Sequence, residues 1–279
     1  MTKYQKLLPI IDELLADTDA LLAGGYGGIA RDDEDMRDDT LSIQEGGVAL
    51  RSALDDVVRG DDELISTMAH DLRGMLNVVI GWAEIIVQGL NGELTPEQMT
   101  VYRRILDSGV FLLMQTDAII SYSRANIGTL GLRVQEIQPD SMIGAQFRCY
   151  DNQKPIAVTL DTSAAPSTMH ADITRCRQAI YYVVRNAADY GADEIRVRLH
   201  EADAALCVVV SDDGAGIAPE HLPHVVEPFY QINPDQSAGV GLGLTLARTF
   251  AEMQGGQFKL ESSSAGTTCT LHFPLRVEL

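Results

Sequence analysis

A histidine followed directly by an aspartate, His70-Asp71, is the pair in this sequence best suited to nucleophilic chemistry. An imidazole attacks a phosphoryl group when a neighbouring carboxylate takes or orients its other ring proton, and Asp71 is placed to do so. His70 lies two residues past Met68 and two before Leu72. At about 100° per residue it is turned roughly 200° from the apolar seam those residues mark, towards solvent. Alone, a surface histidine on a helix is the commoner explanation. Asp212-Asp213-Gly214-Ala215-Gly216-Ile217 follows a strand-like run. A carboxylate there accepts from an exocyclic amine such as that of adenine, and the glycines let backbone approach a ligand; an ordinary Asp-Gly turn has the same letters. Gly239-Val240-Gly241-Leu242-Gly243-Leu244 opens a helical pattern, where exposed amides favour bound phosphate. Its alternating glycines are not the dinucleotide fingerprint, and no GK[ST] follows to make a P-loop. Asn186, in the largely apolar helix Gln178–Tyr190, is either structural or a neutral oxygen ligand for Mg²⁺.

These residues must be positioned by two kinds of element. Residues 3–23 carry Leu7, Leu8, Ile11, Leu14, Leu15, Leu21 and Leu22 as a helical stripe, with Thr18 its one polar interruption. Gly24-Gly25-Tyr26-Gly27-Gly28 ends it, Asp32-Asp33-Glu34-Asp35 reads as a solvated loop, and a second helix is expected from about Thr40 to Val58. Residues 61–90 read as one long helix whose seam is Leu64, Met68, Leu72, Met75, Val79, Trp82 and Ile86. After Asn91-Gly92, Thr95-Pro96-Glu97-Gln98 has the makings of a capping box with proline in the first turn. The helix it starts carries Val101, Ile105, Val110, Leu113, Thr116 and Ile120 and fades near Asn126-Ile127-Gly128. Two long amphipathic helices on a short link make an antiparallel hairpin that leaves apolar surface uncovered, so a dimeric four-helix bundle is expected.

Residues 131–279 read as α/β. The strand-like runs are Ile156–Leu160, Glu194–Leu199, Leu206–Ser211, Gln257–Glu261 and Thr267–Pro274. Helical patterns cover Asp172–Tyr190 and Leu242–Gln254, the latter stopped by Gly255-Gly256. A sheet with helices on one face is the expected architecture. The chain then divides into residues 1–60, a helical segment of unassigned role; 61–128, the hairpin; and 131–279, the α/β unit.

At 46% apolar and 22% charged residues, the 279-residue chain has the material for a real core. Its net charge of −19 repels phosphate backbones and anionic lipid, which argues against nucleic-acid or membrane-surface binding. It leaves a single nucleotide in a local pocket open. No apolar run is long enough to span a bilayer, and the first residues lack a signal peptide's pattern. Cys149, Cys176, Cys207 and Cys269 are widely spaced, with no CxxC, and read as reduced core residues of a cytoplasmic protein.

In order and spacing, His70-Asp71, Asn186-Ala187, DDGAGI, Glu227-Pro228-Phe229-Tyr230 and GVGLGL together resemble a two-component sensor histidine kinase. Asp172, Arg175 and Gln178 before Asn186, and Gly255-Gly256, Glu261-Ser262, Gly266-Thr267-Thr268 and Phe273-Pro274-Leu275 after it, belong to the same set. The resemblance covers residues 61 to 279. It implies a dimerisation and histidine-phosphotransfer hairpin followed by a Bergerat-type ATP-binding domain, with ATP and Mg²⁺ bound. It implies His70 as phospho-acceptor with Asp71 as its general base, Asn186 on Mg²⁺, Tyr190 stacking near adenine, and Asp212 bonding the adenine amine beside Gly214 and Gly216. Phe229 would sit in the phenylalanine box, and Gly239, Gly241, Leu242 and Gly243 would anchor the nucleotide lid and phosphates. The implied partners are a second copy of the chain and a response regulator whose aspartate receives the phosphate.

The sequence also departs from that family. Gly74 stands where a Thr or Asn linked to phosphatase activity is usual, so little intrinsic phosphatase activity is expected by that route. Met75 replaces a helix-kinking proline, Tyr182 a common Asn, and Asp189 a common phosphate-facing Lys. Gln231 replaces an Arg, and the lid from Gln231 to Ala238 is short and without a cation. These departures cluster around the triphosphate, so the alternative is a kinase-like phosphotransfer or regulatory protein with weak or no ATP-dependent autophosphorylation. Another Bergerat-fold ATPase, or a serine kinase of the anti-sigma-factor type, ranks lower because those lack the exposed His-Asp hairpin.

Overall fold

The computed structural model describes residues 5–27, 29, 34–59, 62–90, 92–143, 150–151, 154–234 and 239–276. Gly60, Asn91, Cys149 and half of the lid, 235–238, lie outside that description. The chain divides into a helical unit, residues 1–129 with 238–240, and an α/β unit, residues 130–237 with 241–279.

The helical unit is built from α1 (Leu8–Leu22), α2 (Glu34–Arg59), α3 (Asp62–Val87) and α4 (Pro96–Asn126). The start of α4 forms as its sequence requires. Thr95 Oγ1 accepts from Gln98 N (3.2 Å), and Gln98 Oε1 accepts from Thr95 N (2.8 Å), with Pro96 in the first turn. α3 runs unbroken through Gly74-Met75, so the absence of proline leaves one continuous helix. α2 begins at Glu34, earlier than its apolar pattern suggests, because Glu34 and Asp35 suit the positive end of the helix.

The apolar surface that the α3–α4 hairpin leaves open is packed against α1 and α2 of its own chain. α1 meets α2 and α4, α2 meets α3, and α3 meets α4, which closes a four-helix ring. Its seams differ in detail from a reading of the large side chains. On α3 the buried positions are Ala69, Leu72, Leu76, Val79, Ala83 and Ile86, while Met68, Met75 and Trp82 are only half-buried. On α4, Gly109 is buried and Val110 is 51% exposed. A Cβ on Gly109 would stand 3.0 Å from Ile80 Cγ1, so the glycine is what lets α3 and α4 close on each other.

The α/β unit holds β1 (Gln135–Ile137), β2 (Tyr150–Asp151), β3 (Lys154–Pro155), β4 (Ala157–Ala164), β5 (Met169–Ala171), α5 (Ile173–Asp189), β6 (Glu194–Ala202), β7 (Ala205–Asp212), α6 (Gly243–Met253), β8 (Gln257–Ser263) and β9 (Gly266–Pro274). Five strands form one sheet in the order β4-β6-β7-β9-β8, with β4 parallel to β6 and the other pairs antiparallel. β1 and β5 make a separate antiparallel pair that sequence alternation does not reveal, each being three residues long. Alternation gives the sheet one apolar face: Ile195, Val197 and Leu199 on β6; Leu206, Val208 and Val210 on β7; Cys269, Leu271 and Phe273 on β9. Ile180, Val184, Leu246 and Phe250 of α5 and α6 are buried with them. The fold is thus a helical bundle followed in the chain by an α/β unit whose helices cover the apolar face of its sheet.

Candidate functional site

Asp212 is the last residue of β7, half-buried at the strand's edge. Its Oδ1 accepts from Gly214 N (3.0 Å) and Thr267 N (3.1 Å), which leaves Oδ2 to accept from a ligand. Burial pushes this carboxyl above the ordinary carboxylate range, against the opposing pull of those two amides. The next residue does different work. Asp213 Oδ1 accepts from Asp193 N and Glu194 N, both at 2.9 Å, and these bonds hold its carboxyl below the usual range. Asp213, exposed, ties the turn to the start of β6, while the half-buried Asp212 holds Gly214 and β9; each uses Oδ1 for these bonds.

The glycines have unequal reasons. Gly216 has φ +71°, and a Cβ there would lie 1.8 Å from the Ser263 carbonyl oxygen. Ile217 N donates to Ser262 Oγ at 2.8 Å, fixing the same turn on the end of β8. Gly241 has φ +78°, and a Cβ would lie 2.7 Å from Tyr230 O and 2.8 Å from Phe229 C. Phe229 itself is left-handed (φ 66°), and its N–H donates to Gly241 O at 2.8 Å. The loop carrying the phenylalanine is therefore stitched to the glycine run by backbone. Gly214 is buried, and Gly239 falls in the stretch that groups with the helical unit. Leu242 is 1% exposed, so it belongs to the core beneath the loop rather than to its open surface. Gly243 starts α6 beside Tyr182, whose Cβ lies 3.8 Å from a Cβ built on that glycine.

Asn186 is half-buried on α5, and Tyr190, the residue that closes that helix, is 44% exposed. Asp189 is engaged by Arg185 Nε at 2.7 Å, one turn back. That pairing offsets the charge reversal at this position, and its spacing of four is legible in the sequence. Asp172, Arg175 and Gln178 are scaffold. Asp172 Oδ1 caps α5 through Thr174 N and Arg175 N (3.0 and 3.1 Å), and its Oδ2 accepts from Arg133 N (2.8 Å). Arg175 bonds Gln178 Oε1 at 2.7 Å and lies 5.1 Å from the Phe250 ring centroid.

In the helical unit, His70 stands on α3 with its side chain 98% exposed. Its Nδ1 is 3.4 Å from Asp71 Oδ1. With a proton on Nδ1 shared towards Asp71, the lone pair sits on Nε2, facing solvent. One turn on, Arg73 Nε donates to Asp117 Oδ1 of α4 at 2.5 Å and pins the two helices beside the histidine. No local pattern links residues so far apart, so sequence reasoning misses this clamp. Gly74 offers no side chain there and has open space around it.

No cluster of three or more His, Cys, Asp or Glu side chains that could hold a metal occurs among the described residues. Mg²⁺ fits all the same, because it is held chiefly by phosphate oxygens and water and needs few protein oxygens. The open Oδ2 of Asp212 and the glycine-lined turns fit an adenine nucleotide.

Comparison with known proteins agrees on the class. Residues 171–277 match the family of histidine kinase-, DNA gyrase B-, and HSP90-like ATPases. The histidine protein kinase DivJ of Caulobacter vibrioides is 29% identical over 224 residues, 77% of this chain and 38% of DivJ. The non-motile and phage-resistance protein of the same organism is 26% identical over 91% of this chain and 31% of its own length. In fold, the crystal structure of full-length ShkA in complex with AMPPNP gives a TM-score of 0.60 at 22% identity, over 77% of this chain and 46% of that one. The chain is a relative of the two-component sensor histidine kinases, with a GHKL-type ATP-binding domain. It spans well under half the length of the curated relatives named here.

Proposed function

We propose that this chain is an ATP-dependent protein histidine kinase that phosphorylates His70 and passes the phosphoryl group to a response-regulator aspartate. The observation that carries the reading is the bare His70 imidazole with a carboxylate on its Nδ1, in one chain with a nucleotide-binding type of unit. Asp212 Oδ2 receives the adenine amine, and the amides around Gly241 and Gly243 hold phosphate oxygens. Asn186 would hold Mg²⁺, which would supply charge neutralisation to the phosphates. His70 Nε2 attacks the γ-phosphorus. The N–P bond forms as the bond to the ADP oxygen breaks, and Asp71 takes the Nδ1 proton. The receiver's carboxylate then attacks the phosphorus, the N–P bond breaks, and the imidazole recovers its proton. Gly74 leaves no side chain to place a hydrolytic water, so the regulator keeps its phosphate in this chain's presence. A receiver domain as partner and a cytoplasmic location go with this reading. For a second copy of the chain, α1 and α2 are competitors for the hairpin.

Incubation of the full chain with Mg²⁺ and γ-labelled ATP tests it. Acid-labile, base-stable label is expected; folded protein that takes none supports the phosphotransfer or regulatory alternative. Arg185→Ala should weaken ATP binding about twofold, because the Asp189 carboxylate is then unmasked near the phosphates and a surface pair is worth roughly 0.3–0.5 kcal/mol. Calorimetric titration reads this, and equal affinity in the variant places Asp189 away from the phosphates.

A further inference from the structure

Glu227-Pro228-Phe229-Tyr230 ends a coiled connection that starts near Ala218, after the Asp212 turn. Tight turns follow one another along it. His221 N donates to Ala218 O (2.9 Å), His224 N to His221 O (2.8 Å) and Glu227 N to His224 O (2.8 Å). Pro219, Pro223 and Pro228 stop these turns from growing into a helix. The end of the connection is strained. Phe229 is left-handed, with φ 66°, and a residue with a Cβ keeps that conformation only where its surroundings over-determine it.

Backbone holds one side of that end. Phe229 N donates to Gly241 O at 2.8 Å, and Gly241 lies so close that a Cβ on it would stand 2.7 Å from Tyr230 O. Thr245 Oγ1, in the first turn of α6, donates to Val226 O at 3.1 Å. A side-chain bond holds the other side. The Tyr230 hydroxyl and His221 Nδ1 are 2.7 Å apart, nine positions distant in the chain, and both residues are half-buried. His224, whose Nδ1 is 2.9 Å from Glu227 Oε1, sets its ring 5.6 Å from the Tyr230 ring at 32°. Tyr230 is thus held at its hydroxyl and along its flank, while its own main chain abuts Gly241. Any shift of the ring passes to the glycine run through one residue's backbone. The Asp212 turn is tied down separately, by the Gly214 and Thr267 amides.

We propose that Tyr230 and His221 form a strap that positions the Gly241–Gly243 amides for the phosphates of a bound nucleotide. The proposal rests on the nucleotide-binding reading of this unit. Both are positioning residues, acting through the Phe229–Tyr230 backbone and not by touching the ligand. The strap acts on the phosphate end alone, because the adenine end is fixed by bonds of its own. It also gives the strained Phe229 a purpose: the left-handed turn brings the Tyr230 main chain onto Gly241, and the hydroxyl bond keeps it there.

Calorimetric titration of the full chain with ATP and Mg²⁺, and separately with adenosine, tests this. Tyr230→Phe removes the hydroxyl and keeps the ring. It should weaken ATP binding about three- to tenfold, the worth of one part-buried hydrogen bond. Adenosine, which has no phosphates, should bind the variant and the wild type alike. His221→Ala should give the same pattern, and the double variant should lose no more than either single one, because all three break one bond. A Tyr230→Phe chain that binds ATP as tightly as the wild type overturns the strap. So does a loss shared equally by ATP and adenosine, which marks a bond that only stabilises the fold, and so do losses that add in the double variant. If Tyr230→Phe does not fold, judged by circular dichroism, His221→Ala carries the same expected readings. A wild type that binds neither ligand overturns the nucleotide-binding reading itself, and the strap with it.

Discussion

A His70→Gln variant is expected to lose all acid-labile label from γ-labelled ATP while binding ATP as the wild type does. The side chain is 98% exposed and packs against nothing, so its replacement leaves the bundle intact. Glutamine keeps polarity and approximate size but has no nucleophilic nitrogen. The drop should therefore reach the detection limit without a change in melting temperature. Asp71→Asn should give a partial loss, on the order of 10²- to 10⁴-fold, because it removes a general base and leaves the nucleophile. Label retained in His70→Gln would move the acceptor to another residue. Equal loss in both variants would mean that Asp71 positions the ring rather than taking its proton.

The second large effect is expected at Gly216. An alanine there meets two penalties at once. Its backbone is left-handed, at roughly 1–2 kcal/mol for a residue with a Cβ, and that Cβ would sit 1.8 Å from the Ser263 carbonyl oxygen. Forcing the turn away from β8 adds about 1–3 kcal/mol of overpacking strain. Gly216→Ala should thus destabilise the α/β unit by about 2–5 kcal/mol in denaturant unfolding. It should also loosen the Ile217–Ser262 bond that sets the nucleotide-facing turn, and ATP affinity should fall with stability. Gly214→Ala is the control. It has no positive φ, and its nearest neighbours would be 3.1 and 3.2 Å away, so the loss should be smaller. Equal stability of Gly216→Ala and wild type would show that this turn adapts freely.

Both predictions concern residues whose types are conspicuous in the sequence. His70 beside Asp71, and glycines in alternation after a strand, are rare enough in combination to mark chemistry. Period alone yields the long helices and the five long strands. The Thr95 box sets the start of α4 because capping is local, settled by residues three apart.

Other features depend on contacts distant in the chain. Nothing near Asp17 announces Arg104, and nothing near Arg73 announces Asp117; each pair exists because two helices happen to meet. Patterning by large side chains puts Met68, Met75, Trp82 and Val110 in the seams, whereas Ala69, Ala83 and Gly109 occupy them. Close packing of helices rewards small residues at the contact, and hydrophobicity does not register that.

The sequence by itself determined the helical and strand periods, the exposed His-Asp pair, the carboxylate and glycines of a nucleotide turn, and the likeness to histidine kinases, since all of these depend on residue type and short spacing. Only the tertiary structure decided that Asp213 braces the start of β6 while Asp212 holds the Gly214 and Thr267 amides, that Asp189 is held by Arg185, and that the hairpin's open face is closed by α1 and α2 of the same chain. Those outcomes turn on which of several chemically equivalent partners arrives within hydrogen-bond or van der Waals reach, and that is settled by the packing of whole elements.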